Sequence, residues 1–377
     1  MRGPAVQPIV IAAGGTGGHL FPAEALAAEL LRRGERIALM TDARSSAYES
    51  AAFANAERFV LSGAGLSGRG IRGAARGGLA LVAGTLQARR HLAALQPCAV
   101  VGFGGYASFP PLAAARLLPA ARRPAIILHE QNAVLGRANR LMSRAADLLA
   151  LSFAQTRNVP ASARSMVVGN PVRPALAALA GQPYPEPLPG GALRLLVTGG
   201  SQGARIFADV VPAAVAALPE TLRARLLVTQ QCRAEDLART EAAYRAAGVV
   251  ADLAPFFPDI AGRLATAHLV IARAGASTVA ELACAGRPSV LVPLPSAIDD
   301  HQSANARALA EADAAWIYPQ PGFTPAALSE RLAALFSVPA RLVSAAAAAA
   351  GLARPQAARD LADQVLALAR RVTMGAA

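Results

Sequence analysis

Short apolar runs alternate with longer amphipathic segments along the whole chain. This alternation is typical of strands joined by crossover helices, and it predicts an α/β fold with parallel sheets. The first half predicts strands at 9–13, 37–41, 99–101, 125–128 and 166–168, and the second half predicts strands near 193–198, 225–230, 249–254, 268–273, 289–293 and 314–318. Residues 181–192 between the two series are rich in proline and glycine, which predicts a linker. The 377 residues therefore predict two domains, because one domain typically has about 100–200 residues.

A glycine-rich turn follows the first predicted strand of each half. The turns are Gly14–His19 and Gly199–Arg205. Glycine lets the backbone approach a ligand closely, and the free N–H groups of the following helix attract an anion. Neither turn is a P-loop, since no Gly-Lys-Ser/Thr follows. Two such turns suggest two nucleotide-fold domains that face one cleft.

Polar residues follow three other predicted strands, in the segments 129–132, 273–281 and 299–302. The carboxyl ends of parallel strands form the edge at which open α/β sheets bind ligands. Ser277 and Thr278 can begin a helix whose N-terminus meets phosphate, and Glu281 is placed to accept hydrogen bonds from ribose hydroxyls. The pair Asp299-Asp300 beside His301 offers too few ligands for a metal site.

One segment also permits a dehydrogenase. Gly102–Ala107 matches the G-x-G-x-x-A form of the dinucleotide fingerprint, and Glu130 lies 23 residues further on. The motif is not on the first strand, and Pro110-Pro111 crowd the start of its helix. These two features weaken the match, but an NAD-dependent oxidoreductase remains as an alternative.

The amino-acid composition restricts the possible binding partners only in part. All 37 basic residues are arginines and the net charge is +13, which suits phosphates, nucleic acid or anionic lipid. The base composition of a genome explains an alanine- and arginine-rich chain equally well. Aromatic residues are only 5%, which argues against a nucleic-acid binder. Three widely spaced cysteines indicate a reducing compartment, no apolar stretch reaches the roughly 18 residues of a membrane span, and the N-terminus favours a first strand over a signal peptide.

Arginines and apolar residues mix between positions 69 and 90. They are Arg69, Arg72, Arg76, Leu79, Leu81, Val82, Leu86, Arg89 and Arg90. An apolar centre with a cationic rim is typical of a membrane-surface patch, while an ordinary amphipathic helix on a basic protein is the alternative.

Taken together, these motifs resemble those of the MurG family of N-acetylglucosamine transferases. The matching segments, in chain order, are 14–19, 101–108, 129–132, 169–173, 199–205, 273–281 and Gln302. The resemblance implies the GT-B architecture, an α/β fold of two Rossmann-like domains whose parallel sheets face a central cleft. It implies an acceptor and membrane-side domain over 1–172, a UDP-sugar domain over 173–350, and a last helix of about 355–372 that packs back on the first domain.

The resemblance also implies the reaction. It is an inverting transfer of N-acetylglucosamine from UDP-N-acetylglucosamine to the C4 hydroxyl of the muramyl sugar of lipid I, which gives lipid II for peptidoglycan. The implied place is the cytoplasmic face of the cell membrane, bound peripherally to an anionic surface, with cell-wall and division proteins as possible partners. No nucleic acid, metal or other cofactor is implied.

The residues implied to contact the substrates are spread over both halves. In the family pattern Ser277 and Thr278 take the diphosphate, Glu281 the ribose, Gln302 and Asn132 the donor sugar, Phe257 the uracil, and Ser201 and Arg173 the phosphates. The full set is Thr16, Gly17, Gly18, Asn132, Arg173, Ser201, Phe257, Ala276, Ser277, Thr278, Val279, Ala280, Glu281 and Gln302.

The transfer needs a base for the acceptor hydroxyl, and two residues are candidates. His19 is the first because imidazole titrates near neutrality, and Glu130 is the second. Read locally, His19 can equally cap its helix or bond a backbone carbonyl. Besides the dehydrogenase and the nucleic-acid binder, another UDP-sugar GT-B transferase remains as an alternative, which would share the motifs of the second half but not 129–132.

Overall fold

A computed structural model describes residues 7–15, 17–45, 50–62, 70–200 and 203–375, without side chains for 70–75 and 373–375. Contacts divide the chain into two compact units. Unit 1 comprises Met1–Arg173 and Gln356–Ala377, and unit 2 comprises Pro174–Pro355. Each unit is built on its own parallel sheet, so the predicted α/β class is confirmed.

The sheet of unit 1 has seven strands in the order β3-β2-β1-β4-β5-β6-β7, every neighbour parallel. They are β1 Ile9–Ala12, β2 Ile37–Asp42, β3 Glu57–Leu61, β4 Ala99–Gly102, β5 Ala125–Glu130, β6 Leu148–Leu151 and β7 Ser165–Val167. The helices of this unit are α1 Gly17–Arg32, α2 Gly70–Leu95, α3 Gly105–Arg116, α4 Arg137–Met142 and α14 Ala357–Gly375. The sequence pattern had not predicted β3 and β6.

Helices cover both faces of this sheet. Ile9 and Ile11 face a core that includes residues of α1 and of α14, among them Leu361 and Val365. Val10, between them, faces the opposite core with residues of α2 and α3. Because both faces are covered, the central strands are continuous apolar runs rather than alternating ones.

The sheet of unit 2 has six parallel strands in the order β10-β9-β8-β11-β12-β13. They are β8 Leu193–Thr198, β9 Leu226–Gln231, β10 Val250–Ala254, β11 Leu269–Ala272, β12 Ser289–Leu291 and β13 Ala315–Ile317. The helices are α5 Pro174–Ala177, α6 Arg205–Ala216, α7 Glu220–Arg223, α8 Leu237–Ala246, α9 Ile260–Thr266, α10 Ala276–Ala285, α11 His301–Ala310, α12 Pro325–Phe336 and α13 Pro339–Gly351.

The proline-rich segment 181–192 has no helix or strand, but it does not lie between the units. It belongs to unit 2, where the Tyr184 hydroxyl donates to the His268 carbonyl at 2.7 Å and the ring packs against the core. Burial raises the pKa of this phenol above its ordinary value. The chain passes from one unit to the other earlier, at Arg173 and Pro174.

Among the described residues, no single helix is long and apolar enough to cross a bilayer. One bent pair, α12 and α13, passes the test of length and composition with a 92° bend between its helices.

Candidate active site

The strand orders place the predicted motifs at two topological switch points. In unit 1 the order reverses between β1 and β4, and in unit 2 between β8 and β11. Open parallel sheets bind ligands at the carboxyl ends of the strands where the order reverses. The segments that follow these four strands are 13–19, 103–107, 199–205 and 273–281, so each switch point is flanked by two of the sequence motifs.

His19, in the first turn of α1, is hydrogen-bonded to the strand-end motif of β5. Its Nδ1 atom lies 3.0 Å from Gln131 Oε1. Gln131 Nε2 lies 3.0 Å from both the Nδ1 atom and the carbonyl oxygen of His129. His129 Nε2 lies 3.0 Å from the Gly169 carbonyl oxygen. The side chain of His129 is completely buried, and this burial lowers its pKa from 6.5 to about 4, so the ring is neutral at physiological pH.

The turn after β4 lies against the imidazole of His19. A Cβ atom at Gly105 would come within 3.2 Å of His19 Nε2 and Cδ2. Gly105 also has a φ of +68°, which L-residues rarely adopt. Gly105 therefore makes room for His19, a use that the dinucleotide fingerprint does not require.

Glu130, the second predicted base, is buried at the end of β5 and accepts four hydrogen bonds. Its Oε1 atom accepts from the backbone N–H of Asn132 at 3.0 Å and from its side-chain amide at 3.1 Å. Its Oε2 atom accepts from Gly136 N and Asn139 Nδ2, both at 2.9 Å. Gly136 precedes α4 as its N-cap, so the carboxylate ties the loop carrying Asn132 to the start of that helix.

The remaining predicted residues of unit 1 lie at the same edge of its sheet or close to α1. Gly17 and Gly18 open α1, and Thr16 lies outside the described residues. The Arg173 guanidinium lies 4.7 Å from the centre of the Phe21 ring, also on α1. This contact is a cation–π interaction that holds the basic side chain beside the helix.

In unit 2, helix α10 begins at the end of β11 with no side-chain cap. Its N-cap is Gly275, and the Ser277 side chain lies in the first turn. The Ser277 Oγ atom is buried and has no hydrogen-bond partner among the described residues. The first turn of a helix also leaves several backbone N–H groups without intrahelical partners. This helix start therefore offers several donors for an anion.

Arg273 and Gln302 hold the loops around this helix start. Arg273 donates to the carbonyls of Val292 and Pro293 at 3.0 and 3.2 Å and to Gln320 Oε1 at 2.7 Å. Its burial lowers the pKa of the guanidinium from its ordinary value. With three protein acceptors, the side chain acts as a brace between the ends of β11 and β12.

Gln302 bonds the same two loops from α11. Its Oε1 atom accepts from Ala274 N at 3.2 Å and from Leu294 N at 3.0 Å. Because the oxygen is engaged twice, the carboxamide would meet a ligand through its NH₂ group.

The glycine turn after β8 is compact and is braced by Gln231, which the sequence analysis did not select. A Cβ atom at Gly199 would lie 2.3 Å from Ala204 N. Gln231 accepts from Gly199 N at 3.0 Å and donates to the carbonyls of Gly200 and Pro255 at 2.8 and 3.1 Å. Ser201, within this turn, lies outside the described residues. In the sequence, the position of Gln231 at the end of a predicted strand is the one feature that could have pointed to this bracing role.

Phe257 follows β10 and is buried, with the Arg263 guanidinium 3.9 Å from the centre of its ring. The neighbouring Phe256 is 59% exposed. Arg263 also pairs with Asp252 and Asp259 at 2.5 and 2.9 Å. One face of the Phe257 ring is thus already covered by a fixed cation. Across the described residues, no three His, Cys, Asp or Glu side chains form a group that could hold a metal.

Comparison with known proteins now adds to this geometry. Residues 9–150 match the N-terminal domain of glycosyltransferase family 28, and residues 194–365 match its C-terminal domain. The UDP-N-acetylglucosamine–N-acetylmuramyl-(pentapeptide) pyrophosphoryl-undecaprenol N-acetylglucosamine transferase of Granulibacter bethesdensis is 58% identical over 97% of this chain and 94% of its own. This chain belongs to the MurG family.

Two further MurG relatives support the assignment. The enzyme of the same name from Rhodospirillum centenum is 57% identical over 97% of this chain and 95% of its own. The crystal structure of MurG from Acinetobacter baumannii shares 31% identity and covers 95% of this chain and 99% of its own, with a TM-score of 0.75. The predicted GT-B fold class and family are confirmed.

Proposed function

We propose that this protein transfers N-acetylglucosamine from UDP-N-acetylglucosamine to the C4 hydroxyl of the muramyl sugar of lipid I, with inversion, forming lipid II. The observation that carries the proposal is the 58% identity, across both switch points, to a transferase of that name. A donor screen by calorimetry tests it. UDP-N-acetylglucosamine should bind more tightly than UDP-glucose, UDP-N-acetylgalactosamine and NAD, and preferential binding of NAD would favour the dehydrogenase alternative.

The start of α10 is the proposed diphosphate site. The departing UDP carries the electron pair of the broken bond between the sugar C1 and the phosphate oxygen, so the reaction needs stabilised negative charge there. The backbone N–H groups of Ala276, Ser277 and Thr278 and the Ser277 hydroxyl supply donors for that charge. Val279 and Ala280 continue the helix toward Glu281, which we assign to the ribose hydroxyls.

We assign the donor sugar to Gln302 and Asn132 and the uracil to Phe257. For Gln302 the support is the engaged oxygen, which leaves the NH₂ group as the part that meets a sugar hydroxyl. For Phe257 the support is its position after β10, at the carboxyl end of a strand of the unit 2 sheet. Arg173, Ser201 and the residues Thr16, Gly17 and Gly18 complete the proposed contacts with phosphates and sugars.

His19 is the proposed general base. The C4 hydroxyl gives its proton to the imidazole as its oxygen attacks the sugar C1, and the C1–diphosphate bond breaks on the opposite side. Glu130 is less suited, because four hydrogen bonds from the protein already engage both oxygens of its carboxylate. We therefore infer that Glu130 positions Asn132.

Turnover measurements separate these two roles. His19→Ala should lower kcat by roughly 10²- to 10⁴-fold with the affinity for UDP-N-acetylglucosamine unchanged, as for loss of a general base. Near-normal turnover of His19→Ala would remove His19 from that role. Glu130→Gln should instead weaken donor binding through Asn132.

We also propose that α2 binds the cytoplasmic face of the membrane where the polyprenyl acceptor lies. Leu79, Val82 and Leu86 lie on one exposed face of this helix, and Leu79 is 71% exposed. Arg76 is exposed toward one end of this face, and Arg89 and Arg90 are exposed toward the other. An apolar strip between arginines suits insertion into an anionic interface. Arg69 and the Arg72 side chain lie outside the described part of the chain.

Vesicle sedimentation tests the membrane proposal. Binding should require anionic lipid and should fall in Leu79→Asp. Leu188→Asp provides the matched control, since Leu188 is 69% exposed but lies in unit 2. Equal binding to neutral and anionic vesicles, or equal loss in both variants, would reject docking through α2.

A further inference from the structure

The chain of hydrogen bonds behind His19 has one consistent assignment of protons. The Gly169 carbonyl can only accept, so His129 must carry a hydrogen on Nε2 to use the 3.0 Å contact. Burial keeps the His129 ring neutral, as its lowered pKa of about 4 indicates. A neutral imidazole with a hydrogen on Nε2 has a bare, accepting Nδ1 atom.

The orientation of the Gln131 amide follows from the same reasoning. Its nitrogen lies 3.0 Å from two acceptors, the bare Nδ1 atom and the carbonyl oxygen of His129. Each needs one hydrogen, and an amide NH₂ has two. The amide oxygen must then be the atom that faces His19 Nδ1 at 3.0 Å. An oxygen acceptor there requires a hydrogen on His19 Nδ1.

We propose that Gln131, oriented by His129, is a positioning residue that holds His19 in the Nδ1-protonated tautomer and so presents a bare Nε2 atom to the acceptor hydroxyl. The inference rests on the proposed role of His19 as base. In the reaction Nε2 gains the hydroxyl proton, and Nδ1 keeps its own and continues to donate to Gln131. No proton moves along the amide, because a neutral amide neither gains nor loses one.

The surroundings of Nε2 agree with this role. The Nε2 side of the ring faces the turn at Gly105, where a side chain would lie 3.2 Å away. Gln131 itself is 1% exposed, so water does not compete for its amide. The arrangement resembles a Ser-His-Asp triad, in which a carboxylate holds the histidine in one tautomer. Here a neutral amide takes the place of the carboxylate.

Nitrogen NMR of histidine-labelled protein reads the tautomer directly. The chain has five histidines, and the signals that vanish in His19→Ala identify His19. At a pH well above the ordinary imidazole pKa of about 6.5, Nδ1 of His19 should show the shift of a protonated ring nitrogen and Nε2 that of a bare one. The reverse assignment in the unmodified protein would overturn the proposal.

Gln131→Leu removes the acceptor and should allow the other tautomer. His19 should then show signals of both forms, and kcat should fall about tenfold, the factor contributed by one ordinary hydrogen bond. The KM for UDP-N-acetylglucosamine should stay the same. Gln182→Leu is the matched control, since Gln182 is exposed and its side chain donates to the nearby Ala178 carbonyl.

The outcomes distinguish the two levels of the hypothesis. If His19→Ala retains turnover, the proposed base is wrong, whatever the tautomer. If His19→Ala is inactive but folded Gln131→Leu keeps both the tautomer and kcat, only the positioning role is wrong. If Gln131→Leu does not fold, the His19 tautomer in the spectrum of the unmodified protein still decides the question.

Discussion

The buried hydroxyl of Ser277 gives a prediction in which stability and binding change in opposite directions. Its Oγ atom has no hydrogen-bond partner among the described residues, although it is shielded from water. Burying a hydroxyl without a partner costs free energy, because unfolding returns it to water. A residue that destabilises the free protein in this way is expected where a ligand supplies the missing partner.

Ser277→Ala should therefore leave the free protein equally stable or stabilise it by up to about 1 kcal/mol, the lower end of the cost of an unsatisfied buried group. The same change removes a donor to the diphosphate. Hydrogen bonds to charged groups contribute about 1.5–3 kcal/mol, so the Kd for UDP-N-acetylglucosamine should rise about 10- to 100-fold.

Ser289 offers a matched control in the same unit. It lies on β12, is completely buried, and also has an Oγ atom without a hydrogen-bond partner in the described chain. Ser289→Ala should show the same effect on stability with no change in donor affinity. Denaturant titration measures the first quantity and calorimetry with UDP and UDP-N-acetylglucosamine the second.

Two results would refute this reasoning. A loss of more than about 1 kcal/mol in folded stability for Ser277→Ala would mean that its hydroxyl is already satisfied in the free protein. Unchanged donor affinity would mean that the start of α10 does not bind the diphosphate through this side chain.

Three other changes test the remaining parts of the site. Gly105→Ala should lower kcat more than donor affinity, because the new methyl group would lie 3.2 Å from His19 Nε2 in a backbone conformation with φ of +68°; a kcat equal to that of the unmodified enzyme would contradict this. The pKa of His129 is lowered from 6.5 to about 4, so between these pH values the unfolded chain binds a proton at this ring and the folded protein does not. The free energy of unfolding of unit 1 should therefore fall by roughly 3 kcal/mol as the pH drops from 6.5 to 4. Urea titrations at several pH values should show a weaker dependence of this free energy on pH in His129→Phe. Arg273→Lys should lower the stability of unit 2 by about 1–3 kcal/mol, because an ammonium group cannot reach all three acceptors; thermal unfolding checks this, and no shift would show that the brace is dispensable.

Most of the architecture could be predicted from the sequence because parallel strands that are buried on both faces consist of consecutive apolar residues, which are easily recognised. β1, β2, β4 and β5 were placed within two residues of their ends. β3 was not predicted because it lies at the sheet edge, where most of its residues are partly or fully exposed and include the charged residues Glu57 and Arg58. β6 was not predicted because its four apolar residues follow an alanine-containing segment whose pattern is equally compatible with a helix.

The candidate site was predictable by location more than by role. Glycine turns and polar strand ends marked the carboxyl edges of the two sheets, because parallel topology brings the carboxyl ends of strands together. No local pattern separates Glu130, whose carboxylate accepts four hydrogen bonds, from a carboxylate that is available as a base. Gln131 and His129 belong to the predicted motif 129–132, yet the positioning role proposed for them depends on contacts with Gly169 and His19, which are distant in the chain.

Periodicity and motif spacing are local properties of the chain, so they were sufficient to predict the fold class, the family and the places where substrates are expected. The tertiary structure decided which polar atoms are already satisfied. Arg273 and Glu130 are engaged by several protein partners, the Ser277 hydroxyl has none among the described residues, and the contacts from Gly169 to His19 carry the proposed assignment of protons. Hydrogen bonds are short and directional, so only the folded arrangement of residues from different strands settles them.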